Sequence, residues 1–169
     1  MMNTINRTMG AFARLEAYVS MAAFAVMVSV ISINVIIRFT TGNSLVFTEE
    51  VAYLAFGYSV FFGLSLLFRT RAMIAVDLVV DMLGPQMRHA ANIVSYVIMT
   101  VICGYFFYLS LGLALTGWVR RTAFLDIPYF WVNLAPTISF ALMTFYSLVF
   151  LGMLLKGEEL PSVELEEQM

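Results

Sequence analysis

Residues 129–155 read YFWVNLAPTISFALMTFYSLVFLGMLL and contain no Asp, Glu, Lys or Arg. About 20 helical residues cross the roughly 30 Å hydrocarbon core of a bilayer, so this stretch is long enough to span it. Backbone N–H and C=O groups in lipid need partners within the chain, which makes such a span a helix. Three more uncharged apolar stretches lie at about 18–37, 51–68 and 92–119. We therefore predict an all-α membrane protein with four transmembrane helices, the second of which gains a turn at one end.

The composition excludes several classes of protein. The chain has 169 residues, of which 62% are hydrophobic and 12% are charged, and a small soluble domain cannot hide so much apolar surface from water. Lys and Arg number 9 against 11 Asp and Glu, which leaves no basic surface for nucleic acid. A single cysteine, Cys103, and a single histidine, His89, are too few for a disulfide, a cysteine-ligated metal cluster or bis-histidine haem. We expect no cofactor.

The four stretches form one predicted domain, residues 1–155, with a short tail. The first apolar run is longer than the roughly 7–15 residues of a signal-peptide core, so we expect it to remain as a span. The tail, residues 156–169, carries five Glu against one Lys and is predicted to be disordered.

Basic residues predict the orientation in the membrane. If the N-terminus is inside, six basic residues are cytoplasmic, namely Arg7, Arg14, Arg69, Arg71, Arg88 and Lys156, and three are outside, namely Arg38, Arg120 and Arg121. Both termini are therefore predicted to be cytoplasmic.

The connection between the second and third spans is predicted to be more than a loop. Residues 73–83 read MIAVDLVVDML, in which Asp77 and Asp81 are four residues apart and would share one helical face. Eleven helical residues reach only about 16 Å, which is too short to span. We expect an amphipathic helix at the membrane interface with both carboxylates toward water. Docking of this segment into a groove of a partner is the alternative.

Small residues follow a spacing of three or four along three of the spans. Such stripes let helix backbones approach closely within a bilayer, and packing inside the bundle or against a partner is the favoured interpretation over a substrate path. The residues are Ala22, Ala25, Ser29 and Ser32 in the first span, Ala52, Ala55, Ser59 and Gly63 in the second, and Gly104, Tyr108 and Gly112 in the third. The first three spans hold no ionisable side chain near the midplane, and the nearest carboxylate, Glu16, precedes the first apolar run. The chain therefore lacks the groups that coupled transport needs.

The predicted outer side carries two groups of charges. Thr48 can cap the second helix, and Glu49 and Glu50 lie in its positive first turn. Arg38 ends the preceding span, and we predict that it pairs with Glu49 or Glu50; the alternative is that these charges simply meet water.

Arg120, Arg121 and Asp126 form the second group. These residues could receive a soluble partner electrostatically or could anchor the chain at lipid headgroups.

The order of several short motifs resembles that of a known family. They are Arg38-Phe39, Phe47-Thr48-Glu49-Glu50-Val51-Ala52-Tyr53-Leu54, Gly63, Arg69, Arg71, Ile74-Ala75-Val76-Asp77, Leu125-Asp126-Ile127-Pro128-Tyr129 and Ala135-Pro136. Together with the four spans and the length, this pattern resembles the small membrane subunit, the DctQ type, of tripartite ATP-independent periplasmic (TRAP) transporters. The resemblance covers the chain from about residue 14 to residue 155.

The resemblance implies a function. In such systems a soluble periplasmic protein captures an organic acid, such as a C4-dicarboxylate or a sialic acid, and a large multi-span subunit carries it with a sodium gradient. The small subunit is then expected to be a scaffold in the bacterial inner membrane, in contact with lipid and the large subunit, and not an enzyme. Three alternatives remain at this point: a self-sufficient exporter acting as a homodimer, a membrane anchor of a redox complex, and a tetraspan structural protein.

Overall fold

A computed structural model describes residues 2–70 and 85–156. It contains the helices α1 (Met2–Thr41), α2 (Phe47–Arg69), α3 (Pro85–Thr116) and α4 (Tyr129–Leu155). Each contains a stretch long and apolar enough to cross a membrane. The predicted all-α fold with four spans is therefore confirmed. The segment with Asp77 and Asp81 and the tail from residue 157 onward lie outside the described residues.

The four helices form a row and not a closed ring. Helix α1 packs along α2, α2 packs along α4, and α4 packs along α3. In the described parts of the chain, α1 and α3 make no backbone approach to each other. The fold thus consists of two helical hairpins, α1–α2 and α3–α4, which meet where α2 packs against α4.

The short connection between α1 and α2 has a defined geometry. Gly42 has a φ of 71°, and its N–H donates to the carbonyl of Arg38 at 3.0 Å. Only glycine adopts this left-handed conformation at little steric cost, so it ends α1. We call the end of the row that holds residues 42–46 and 117–128 the loop end, and the opposite end the terminal end.

Helix α2 gains its extra turn at its start, since it begins at Phe47. Val46 occupies the N-cap position and makes no side-chain capping bond. The prediction that Thr48 caps the helix is wrong, because its hydroxyl donates back to the carbonyl of Leu45. The side chain is thereby engaged with the preceding turn and does not cover the free N–H groups of the helix.

The buried core lies between α3 and α4 near the terminal end. Its central side chains are Tyr146 and Phe150, each 1% exposed, and the Phe150 ring meets Tyr96 edge-on at 5.8 Å. The hydroxyls of Thr100 and Ser147 bond to each other across the same interface at 2.6 Å. In contrast, large apolar side chains cover the outside of the row, as lipid permits.

Gly117 lets α3 and α4 approach closely at the loop end. A Cβ atom built there would lie 2.7 Å from the backbone nitrogen of Phe130 and 2.9 Å from the carbonyl carbon of Tyr129. Neither atom can move without shifting the start of α4. Beside this contact, the rings of Trp118 and Phe130 stack with centroids 4.4 Å apart.

Replacement of Gly117 by alanine is expected to destabilise the isolated subunit by about 1–3 kcal/mol, because the new methyl group overlaps backbone atoms. Gly112→Ala is the control: Gly112 lies in the last turns of α3, shortly before Gly117, with nothing within 4 Å of its virtual Cβ. That control should be neutral or stabilising by up to about 1 kcal/mol, since alanine favours helix. Thermal unfolding in detergent measures both, and equal midpoints for the two variants would contradict the proposed close approach.

Candidate functional site

The connection between α3 and α4 folds into a small hairpin at the loop end. The N–H of Thr122 donates to the carbonyl of Ile127 at 3.0 Å, and the N–H of Tyr129 donates to the carbonyl of Arg120 at 2.9 Å. The N–H of Ile127 also donates to the Thr122 hydroxyl at 3.1 Å. These bonds give residues 120–129, the loop hairpin, a single shape outside the apolar spans.

Charged side chains stabilise the turn of the loop hairpin. Asp126 has a φ of 54°, a left-handed conformation that Asp tolerates better than most residues. The guanidinium of Arg121 donates to the Asp126 carboxylate at 2.9 Å and to its carbonyl at 3.2 Å. Both side chains are exposed, so the ion pair adds little stability by itself. Its geometric role is to hold the turn closed.

Arg120 lies at the base of the loop hairpin. Its guanidinium carbon is 5.4 Å from the centre of the Tyr129 ring, within range of a cation–π contact. Arg120 and Arg121 are thus displayed together at the loop end.

Glu50 connects the loop hairpin to α2. One carboxylate oxygen accepts the N–H of Phe124 at 2.8 Å, and the other accepts the N–H of Leu125 at 3.0 Å. Hydrogen bonds to a charged acceptor are stronger than neutral ones. The carboxylate therefore takes the place of a backbone partner for two consecutive residues of the turn.

The predicted ion pair between Arg38 and Glu49 or Glu50 is wrong. Arg38 is exposed in the last turn of α1, where the helix dipole favours a cation, and it makes no ion pair with either acid. Glu50 is satisfied by backbone N–H groups of the loop hairpin instead. Glu49 is exposed and lines the pocket beside the loop hairpin.

A pocket of about 300 Å³ opens between the start of α2 and the loop hairpin. Carboxylate and phenol groups combine with aliphatic side chains on its walls. It is lined by Glu49, Glu50, Tyr53, Leu54, Thr122, Ile127, Tyr129 and Val132. The candidate contacts Arg120 and Arg121 do not line it.

A buried carboxylate lies at the terminal end, where α1, α2 and α4 meet. Glu16 is 2% exposed, and one of its oxygens accepts the hydroxyls of Tyr146 at 3.0 Å and Ser65 at 3.2 Å. Its other oxygen is buried and has no hydrogen-bond partner among the described residues. The sequence places Glu16 before the first apolar run, and its burial was not predicted. The hydroxyls of Ser65 and Tyr146 within apolar spans are the only sequence signal for it.

Comparison with known families identifies the chain. The family model described as tripartite ATP-independent periplasmic transporters, DctQ component, matches residues 27–157. The chain belongs to this family. A protein of Haemophilus influenzae named "Putative TRAP transporter small permease protein" is 26% identical over 133 residues, which cover 79% of this chain and 80% of that protein. This DctQ-family chain is therefore a TRAP transporter small subunit, a multi-pass protein of the inner membrane.

The small-residue stripes of this DctQ-family chain lie in different surroundings. In α2, Ala55 is buried. A Cβ atom built on Gly63 would lie 3.2 Å from the hydroxyl oxygen of Ser20 in α1, and that hydroxyl donates to the carbonyl of Ser59 at 2.8 Å. Ala52 is half-buried on the same helix. In α1, by contrast, all four stripe residues are exposed: Ala22, Ala25, Ser29 and Ser32.

The α3 stripe is divided between two surroundings. Gly104 lies against Thr144 of α4, 3.9 Å from its methyl group, whereas Tyr108 and Gly112 are exposed. The α2 stripe thus packs within the chain, and the α1 stripe is available to the surroundings.

Tyr146→Phe is expected to destabilise the DctQ-family chain by about 1–2 kcal/mol, because it removes one of two donors to a buried carboxylate oxygen. Tyr108→Phe is the matched control, since the Tyr108 side chain is 73% exposed. Thermal unfolding of both purified variants tests this. Equal stability of Tyr146→Phe and wild type would show that the buried bond contributes nothing.

Proposed function

We propose that this chain is the scaffolding subunit of a sodium-driven, binding-protein-dependent TRAP importer for an organic acid of the C4-dicarboxylate or sialic acid class. The observation that supports the scaffolding role is the row of helices, in which no residue of α1 between Ala17 and Thr41 is fully buried and only the side that packs on α2 is partly covered. A helix with one covered side and a long exposed small-residue stripe is suited to pack against a second membrane protein. The transporters to which the DctQ family contributes one component are tripartite, which supports a large transport subunit as the second membrane protein.

The positions of the ionisable groups support a role without a transport path of its own. Along the spans, Asp, Glu, Lys and Arg occur only near the ends, as in the intervals from Glu16 to Arg38 and from Glu50 to Arg69. Transporters place ionisable side chains or unwound backbone near the midplane to bind cargo and coupling ions. In this protein the buried hydroxyls bond to backbone or side-chain groups of the chain itself, either on another helix, as Ser139 does to the carbonyl of Phe61, or on the same helix, as Ser110 does to the carbonyl of Phe107. Cargo would then pass through the large subunit.

The excess of basic residues at the terminal end supports a cytoplasmic location of both termini. The loop end, with Arg120, Arg121 and the 300 Å³ pocket, then faces the periplasm. We propose that this surface helps to dock the periplasmic binding protein. Charge pairs at the rim of an interface mainly speed association, which suits a partner that binds and leaves in every cycle.

The scaffolding role is tested by purification of the tagged chain from its own cells in mild detergent. We expect a larger multi-span membrane protein to copurify in equal amounts, because the exposed face of α1 would otherwise contact only lipid. A matched variant with bulky residues on that face, Ala25→Leu with Ser29→Leu, should lose the larger protein while it keeps its own helical content. Recovery of the wild-type chain alone or as a homodimer would contradict the proposal, and transport by that homodimer would establish an exporter instead.

The docking role is tested by charge reversal of Arg120 and Arg121 to Glu in the reconstituted transporter. The concentration of binding protein that gives half the maximal rate is expected to rise by about threefold to tenfold, with an unchanged rate at saturation, because electrostatic attraction acts on the encounter. Lys156→Glu, a reversal at the terminal end, is the control and should change neither value. An unchanged half-saturating concentration in the Arg variant would remove these residues from the docking surface.

A further inference from the structure

Glu50 is the connection between the loop hairpin and α2. Its two carboxylate oxygens accept the N–H groups of Phe124 and Leu125, while the Thr122 hydroxyl and the Ala123 N–H lie beside the same carboxylate. Successive N–H groups that converge in this way form an anion-binding concavity. Here the anion is a side chain of another helix. In the described part of the chain, every hydrogen bond from residues 120–127 to α2 ends on Glu50.

The loop hairpin is otherwise held by bonds within itself. The Arg121–Asp126 ion pair and the Thr122–Ile127 bonds fix its internal shape and do not fix its position on the bundle. Loss of the Glu50 carboxylate would leave that internal shape intact and free the tip of the hairpin to move relative to α2. Glu50 therefore sets the position of the loop hairpin on α2, and residues of the loop hairpin itself set its internal shape.

We propose that Glu50 is a positioning residue for docking of the periplasmic binding protein. It holds the tip of the loop hairpin against α2 so that the Arg121–Asp126 pair lies in one fixed relation to the pocket beside it. This inference rests on the proposed docking function of the loop end. Glu50 acts through the hairpin and not by contact with the partner, since both of its oxygens are already occupied by backbone donors. A pre-ordered surface loses less conformational entropy on association than a mobile one.

Three variants separate a positioning role from a charge effect. Glu50→Gln keeps the length and removes the charge. Glu50→Asp keeps the charge and is one methylene too short to reach both N–H groups. Glu49→Gln removes the neighbouring exposed charge and leaves the hairpin bonds in place. Each is made in the complex with the large subunit, and the amount of copurified large subunit is measured first.

Two measurements are then made on each complex. Hydrogen exchange of residues 123–125, followed by mass spectrometry, reports whether the hairpin is held. We expect exchange about threefold to tenfold faster in both Glu50 variants and unchanged in Glu49→Gln, because an exposed charge-assisted bond is of modest strength. The half-saturating concentration of binding protein in the transport assay is expected to rise by a similar factor in the two Glu50 variants and to stay unchanged in Lys156→Glu at the terminal end, with an unchanged maximal rate in all three.

The outcomes are distinguishable. If the half-saturating concentration rises in Glu50→Gln but stays at the wild-type value in Glu50→Asp, the charge itself attracts the binding protein and the positioning role is overturned. Faster exchange without a change in half-saturation would show that the hairpin position does not matter for docking. A Glu50 variant that fails to assemble, beside an assembled wild type, would make Glu50 a folding residue and also overturn the inference. If wild-type transport does not depend on the binding protein, the proposed docking function itself fails.

Discussion

The contact between α2 and α4 is the constraint on which the rest of the structure depends. It is the one place where the two helical hairpins touch through their backbones in the described residues. Polar side chains bridge the two helical hairpins from the loop end to the terminal end. Two bonds join α2 and α4 directly, Tyr58 to the carbonyl of Trp131 and Ser139 to the carbonyl of Phe61. At the loop end Glu50 of α2 accepts from Phe124 and Leu125 of the loop hairpin, and at the terminal end Tyr146 of α4 donates to Glu16 of α1, which also accepts from Ser65 of α2. In a membrane the hydrophobic effect does not hold helices together, so such bonds and close packing must do so.

The strength of this contact is modest. Interhelical hydrogen bonds in membrane proteins contribute on average about 0.6 kcal/mol each and at most about 2 kcal/mol. A few such bonds hold the two hairpins in register without making the isolated row rigid. A partner that binds only the assembled row adds its binding free energy to that of folding. The architecture is thus consistent with a subunit that reaches its full stability inside a complex.

Much of the fold could be predicted from the sequence, because each membrane span is a long uninterrupted run of apolar residues. Four uncharged stretches give four helices, and the shortest of them begins a turn earlier than its apolar core, at Phe47. The site was less predictable for a physical reason. Glu50 binds backbone N–H groups, which every residue except proline possesses and which leave no mark in the sequence. Pairing with Arg38 was expected because opposite charges are visible in a sequence and a turn of free N–H groups is not.

The terminal end also contains a contact that could not be predicted from the sequence. Glu16 stands before the first apolar run, and nothing in that position indicates its burial beside two hydroxyl donors on other helices. The small-residue stripes were visible as spacing, but spacing does not say what covers a face. Gly63 meets Ser20 within the chain, whereas Ala25 on α1 is exposed. Only the three-dimensional order of the helices distinguishes a stripe that packs within the chain from one that is exposed.

The row also bears on how the protein is made. A ribosome delivers α1 and α2 to the membrane first, and the hydroxyl of Ser20 can reach the carbonyl of Ser59 as soon as that pair is inserted. The carboxyl of Glu16 must wait for Tyr146, which is synthesised last of the partners that bind it. Until α4 enters the bilayer, the Glu16 carboxylate therefore lacks the Tyr146 donor that it has in the finished fold. Among the described residues, a chain that lacks α4 keeps only the Ser65 hydroxyl as a donor to that carboxylate.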